Sequence, residues 1–174
     1  MRFINILAAM SLAAASSAVQ AQEGLLPDVK AFLAKPGAPM LNGLVHVEGV
    51  GDMPLKSGEW AGIKGRGRTL EDIVLTILDT PADILRIEYE CHLEGVGDIG
   101  WFTEGSLCGG RGHPRRLEAI RVRLAGIAAR FFRVRYECFV EGVGDQGLKT
   151  DEHWCGIRGL PRRLDAVRIW LERR

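Results

Sequence analysis

The chain has 174 residues and a mass of 19.1 kDa, with 47% hydrophobic and 26% charged side chains, which is enough for one well-filled core. Its 23 basic and 22 acidic residues nearly cancel, so no global field draws it to nucleic acid or to an anionic membrane. This balance excludes a disordered chain, a collagen, a multi-span membrane protein and a strongly basic nucleic-acid binder, and it names no reaction.

Residues 1–21 read as a secretory signal. Arg2 supplies the positive start, Phe3 to Ala15 an apolar run broken by Asn5 and Ser11, and Val19 and Ala21 the small residues that predict cleavage before Gln22. The run is shorter than the roughly 20 residues a membrane span needs, and no other segment reads as a span. Without Arg2, basic and acidic side chains are equal in number. The first cysteine is Cys91, so acylation at the cut has no acceptor. A cleaved signal peptide and a periplasmic or extracellular location are expected. Residues 22–38 form an N-terminal extension, in which Pro27 to Lys35 predicts a short helix with proline in its first turn and a stop before Pro36-Gly37.

Residues 39–174 are expected to form a single β domain of three repeats, at 39–78, 85–124 and 132–171. Val47-Glu48-Gly49-Val50-Gly51-Asp52 recurs at 93–98 and 140–145, a period of roughly 46 residues. Ala61-Gly62-Ile63-Lys64-Gly65 recurs at 108–112 and 155–159, and Leu70-Glu71-Asp72-Ile73 at 117–120 and 164–167. Leu85, Ile87, Tyr89, Cys91 and Leu93 alternate with charged residues or histidine, and so do Phe132, Val134, Tyr136, Cys138 and Val140, apart from Phe139. This is the period of strands with one buried and one wet face. Each repeat thus predicts three or four antiparallel strands. One such unit cannot bury enough to fold alone, whereas three can close around a threefold axis. A β-prism is favoured, because the leading strands are long with a charged outer face; a β-trefoil is the alternative.

Four cysteines in an exported chain are expected to be oxidised. Cys91 and Cys108 have the same separation as Cys138 and Cys155 and fall at matching positions, where the first repeat has Val45 and Ala61. Both partners are lost together, which predicts the bridges Cys91–Cys108 and Cys138–Cys155, each closing a loop of about 17 residues. The spacing does not suit zinc or a redox pair.

The assembled phrase, a strand ending in glycine, an aromatic, a glycine, then small-Gly-x-x-Gly and a closing Leu-Glu-Ala-Ile strand, resembles the clostridial hydrophobic-Trp (ChW) repeats. The second repeat carries it best, through Gly97, Trp101, Gly105, Gly109, Gly112, Leu117, Glu118, Ala119 and Ile120. Asp52, Asp98 and Asp145 stand where that family has a tryptophan after the first glycine. The resemblance implies a secreted or cell-surface, non-enzymatic module, usually in threes, that binds polysaccharide or protein.

The candidate ligand-binding residues are Asp52, Asp98 and Asp145 in the glycine turns and the aromatics Trp60, Trp101 and Trp154. The same residues also serve structure, as turn-capping carboxylates and packing indoles. Trp170 falls on the polar face of the last strand and is expected to be exposed. Arg115, Arg116, Arg162 and Arg163 make basic spots with acidic neighbours to pair with. His46 and His92 share one repeat position that Phe139 fills in the third repeat, and no catalytic, phosphate-loop or metal motif occurs. The expectation is therefore no catalytic residue, no metal and no cofactor. The partner is expected to be a carbohydrate or an envelope protein, met by a lectin-like or structural interaction module of bacterial type.

Overall fold

The computed structural model describes residues 26–110 and 115–174, so the expected signal peptide lies outside the described residues. The described residues fall into two units that divide between Pro36 and Gly37. Within the first, α1 (Pro27–Ala34) starts on proline, carries Asp28 in its first turn where the helix dipole favours an anion, and has Val29, Phe32 and Leu33 buried along one face. The proline-based expectation for this helix holds.

The second unit is mostly β. The first repeat segment gives β1 (Leu41–Val47), β2 (Gly51–Lys56), β3 (Ala61–Gly62) and β4 (Leu70–Ile77). The second gives β5 (Arg86–Leu93), β6 (Gly97–Thr103), β7 (Cys108–Gly109) and β8 (Leu117–Ala125). After a 3₁₀ turn at Ala129–Phe131, the third gives β9 (Phe132–Val140), β10 (Gly144–Asp145), β11 (Lys149–Thr150), β12 (Cys155–Gly156) and β13 (Leu164–Arg173). The period-two reading holds along all of β9, where Phe132, Val134, Tyr136, Cys138 and Val140 are buried and the residues between them are half-buried.

These strands form three antiparallel sheets, none closed on itself. The first runs β2-β1-β4-β7, the second β6-β5-β8-β12, and the third β10-β9-β13-β3, with β11 also on β9. Each sheet takes its last strand from another segment: β7 of the second segment pairs with β4, β12 of the third with β8, and β3 of the first with β13. We refer to these junctions as the first, second and third seams. Their two-residue strands all contain glycine, because the backbones approach too closely for a side chain. A Cβ on Gly109 would lie 2.3 Å from the Asp72 Cβ, and one on Gly156 2.3 Å from the Glu118 carbonyl oxygen.

Both expected disulfides are present, Cys91–Cys108 and Cys138–Cys155, with Cα–Cα distances of 6.1 and 5.9 Å. Because Cys108 and Cys155 sit on strands that complete a neighbouring sheet, each bridge ties two sheets together. The core lies between the inner faces and includes Val45, Ala61, Ile73, Leu75, Ile87, Val122 and Ile169.

Candidate ligand-binding face

Each sheet has an outer row that crosses four strands, and the rows differ. On the second sheet the register sets Trp101 opposite Glu90 and Glu90 opposite Arg121, with Trp154 just before β12 alongside. The Arg121 guanidinium lies 4.8 Å from the Trp101 ring centre and 4.9 Å from that of Trp154. Arg123 lies over Trp101 at 3.9 Å and Arg158 over Trp154 at 4.6 Å. Indoles and guanidinium groups therefore alternate along one layer. On the third sheet Lys64 lies over Trp60 at 3.9 Å, with Arg168 at 5.3 Å.

Beneath this layer the alternation misleads. Glu88 and Glu90 belong to the face expected to be wet, yet they are 7% and 5% exposed. Arg121 Nε donates to Glu90 at 2.7 Å and Arg123 Nε to Glu88 at 2.7 Å, while Arg86 reaches Glu88 at 2.9 Å. Burial raises the Glu88 carboxyl, but hydrogen bonds from Arg123 and Arg86 outweigh it and hold the group below its ordinary value. The other oxygen of Glu90 accepts the Gly100 N–H at 3.2 Å. Gly100 has a φ of +84° and lies where the β5–β6 register shifts, the extra residue of a bulge that turns Trp101 into the row.

The turn aspartates are all engaged. Asp98 takes Arg158 of the third segment at 2.8 Å and His92 Nδ1 at 2.5 Å. His92 Nε2 lies 3.3 Å from the Gly159 amide nitrogen and 3.6 Å from the Glu118 carboxylate, which sets the ring with its Nδ1 toward Asp98. Burial raises the Asp98 carboxyl, and its His92 and Arg158 partners bring it net below the usual value. Asp145 takes Lys64 of the first segment at 2.7 Å. Asp52 pairs with His46 at 2.7 Å; the residue that matches Lys64 and Arg158 in the second repeat is Arg111, outside the described residues. The structure thus joins Asp98 and Asp145 to cations of neighbouring segments and Asp52 to a histidine of its own, instead of leaving them open. Among the described residues, no three His, Cys, Asp or Glu side chains gather as metal ligands would.

The structure brings Trp101 and Trp154 together on the second sheet and places Trp60 apart on the third. Trp170, expected to be exposed, is half-buried, with its Nε1 donating to Glu172 at 3.1 Å. The basic pairs follow the ion-pair reading: Arg116 binds Glu94 at 2.5 Å and Arg163 binds Glu141 at 2.5 Å. On the first sheet the equivalent outer row has no charge at all. Pro54, Leu44 and Val74 face one another in register, with Leu107 just before β7, and Leu44 and Leu107 are 40% and 36% exposed.

Compared with known proteins, residues 92–126, which span β6 to β8 and include Trp101, match the family model described as Clostridial hydrophobic W. No curated protein and no solved structure matches the chain. Among the described residues, no helix is long and apolar enough to cross a membrane.

Proposed function

We propose that this chain is an exported, non-catalytic binding module that takes a carbohydrate or another envelope component on the outer face of its second sheet. The observation that carries the reading is the layer in which Trp101 and Trp154 alternate with Arg121, Arg123 and Arg158. Indole faces accept the C–H face of a sugar, and guanidinium edges donate to its hydroxyls. The match to a hydrophobic-Trp repeat over residues 92–126 covers the same strands. Two disulfides suit an oxidising periplasmic or extracellular location.

The repeats at 39–78, 85–124 and 132–171 are proposed to be three divergent copies of that family unit, arranged as the faces of a β-prism. What supports this is the cyclic loan of strands, second segment to first sheet, third to second and first to third.

The test is titration of intrinsic tryptophan fluorescence against a panel of envelope polysaccharides. Saturable binding that is lost in Trp101→Ala and Trp154→Ala, with the disulfides and the thermal midpoint intact, is the expected result. A second reading, a structural or protein-interaction role, is favoured by the uncharged row Pro54, Leu44, Val74 and Leu107 on the first sheet. A folded protein silent to every polysaccharide, but retained by an envelope protein in a manner that Leu44→Lys abolishes, would select that reading.

A further inference from the structure

The three seams serve as controls for one another. At the first, Gly105 N–H donates to the Leu75 carbonyl at 2.8 Å, and the Leu75 N–H donates to the Tyr89 hydroxyl at 3.2 Å, which in turn donates to the Ser106 carbonyl. At the second, Glu152 N–H donates to the Val122 carbonyl at 2.8 Å, the Val122 N–H to the Tyr136 hydroxyl at 3.4 Å, and that hydroxyl to the His153 carbonyl. A carboxylate accompanies each tyrosine: Glu104 accepts the Ile77 and Ile87 N–H groups, and Asp151 accepts that of Val134. At the third seam Gly58 N–H donates to the Ile169 carbonyl at 2.9 Å, but Gly43 replaces the tyrosine, Ser57 the carboxylate and Gly58 the Glu152 side chain.

A groove of about 430 Å³ lies at this third seam, lined by Met40, Ser57, Gly58, Arg168, Trp170 and Leu171 among others. We propose that it binds one ring of a neutral oligosaccharide, an inference that rests on the carbohydrate reading above and adds a further sugar contact on a different tryptophan. Trp170 is fixed by its bond to Glu172, and its nearest recorded cation, Arg168, stands 5.5 Å from the ring centre. The rings of Trp60 and Trp101 carry a cation at 3.9 Å. The Trp170 ring thus carries no cation as close as those on Trp60 and Trp101. The Ser57 hydroxyl is at hand for ring hydroxyls. The one charged side chain among the described residues that line the groove, Arg168, is paired with Glu137 at 2.5 Å, which weakens its draw on an acidic chain.

The test titrates the full oxidised chain with cellotetraose, chitotetraose and a polygalacturonate oligomer, reading tryptophan fluorescence and heat. Trp170→Ala removes the platform. Gly58→Glu copies the side chain that the second seam carries at this position, where Glu152 adopts a φ of 64°, and so fills the groove without touching Trp170. Saturable binding of a neutral probe that Trp170→Ala and Gly58→Glu each weaken at least tenfold is expected. Binding lost in Trp101→Ala or Trp154→Ala and kept in Gly58→Glu would overturn the groove and leave the carbohydrate reading standing. Polygalacturonate bound as tightly as the neutral probes would overturn the choice of a neutral ligand. A folded wild-type chain that binds none of these and no envelope polysaccharide would bring both readings down.

Discussion

Leu75 and Val122 each give their amide hydrogen to a buried tyrosine hydroxyl, whereas for Ile169, at the matching place, the position of that tyrosine is held by Gly43. The contrast extends to the covalent level. Cys91–Cys108 and Cys138–Cys155 cross the first two seams, and the third has Val45 and Ala61 in their stead, both buried. What remains at the third seam is the short β3–β13 ladder, the Gly58 and Ile63 backbone bonds, the Gly65 N–H to the Asp165 carboxylate, the Lys64–Asp145 pair and apolar packing. Three segments of similar sequence thus make two fastened joints and one loose one. Beside this seam the groove opens at Ser57 and Gly58, where the second seam has the Asp151 carboxylate and the Glu152 side chain.

The largest expected effect comes from unfastening a strong seam. Changing Cys138 and Cys155 together to serine should cost about 3 kcal/mol for a loop of this length, read from urea unfolding, and the Cys91/Cys108 pair should match it. A loss well below that in both would mean that strand pairing, not the bridge, holds these seams. Tyr136→Phe keeps the ring but strands the Val122 N–H and the His153 carbonyl, at a cost of about 1–3 kcal/mol. Burial already pushes both tyrosine phenols up, so neither hydroxyl ionises within the working range.

Making the loose seam resemble the others should have a smaller effect of opposite sign. Val45→Cys with Ala61→Cys is expected to close a third bridge without added catalyst, seen as absence of free thiol, and to stabilise by about 1–2 kcal/mol. Before that change the Ile169 amide should exchange with solvent deuterium about tenfold faster than those of Leu75 and Val122, and afterwards the gap should narrow. Thiols that stay free would show that the third seam is built differently from the other two.

The smallest effect is electrostatic. Glu88 and Asp98 have folded values below their ordinary ones of 4.5 and 3.8, so the unfolded chain binds more protons in acid. Their contribution is present above those ordinary values and is lost as the pH falls through the folded ones. Asp165, pushed up by burial in spite of Arg163, acts in the opposite sense, with stability present in acid and lost as the pH rises through its folded value. The thermal midpoint should fall below about pH 4.5, and Glu88→Gln should flatten that slope. An unchanged slope would mean that the Arg86–Glu88–Arg123 cluster does not contribute.

Much of this was legible in the sequence for physical reasons. The long strands announced themselves by alternation, the helix by Pro27, and the disulfides by the joint loss of both partners at Val45 and Ala61. The loan of strands was not legible, since two residues such as Cys108-Gly109 carry no period and their partners lie in another segment. Nor was the burial of Glu88 and Glu90. Alternation assigns a residue to a face, but the cover over that face includes Trp154, whose place depends on the borrowed β12. The turn aspartates read as open carboxylates because their cations, Arg158 and Lys64, come from other repeats. Tyr89 and Tyr136 read as core, and the need for their hydroxyls became visible only with the amide edges of β4 and β8.

The bridges join cysteines that are consecutive in the chain, and this bears on how the protein is made. A polypeptide that emerges amino end first into an oxidising compartment offers Cys91 no partner except Cys108 until Cys138 follows, and then leaves Cys138 with Cys155 alone. Of the three connectivities open to four thiols, vectorial emergence selects the native one. Oxidation of the reduced full-length chain in solution must sort among all three, and any crossed pairing would bind the wrong sheets together. Were the chain exported in this way, its native pairs would form in order of emergence, whereas recovery from a reduced and unfolded state has to sort among all three.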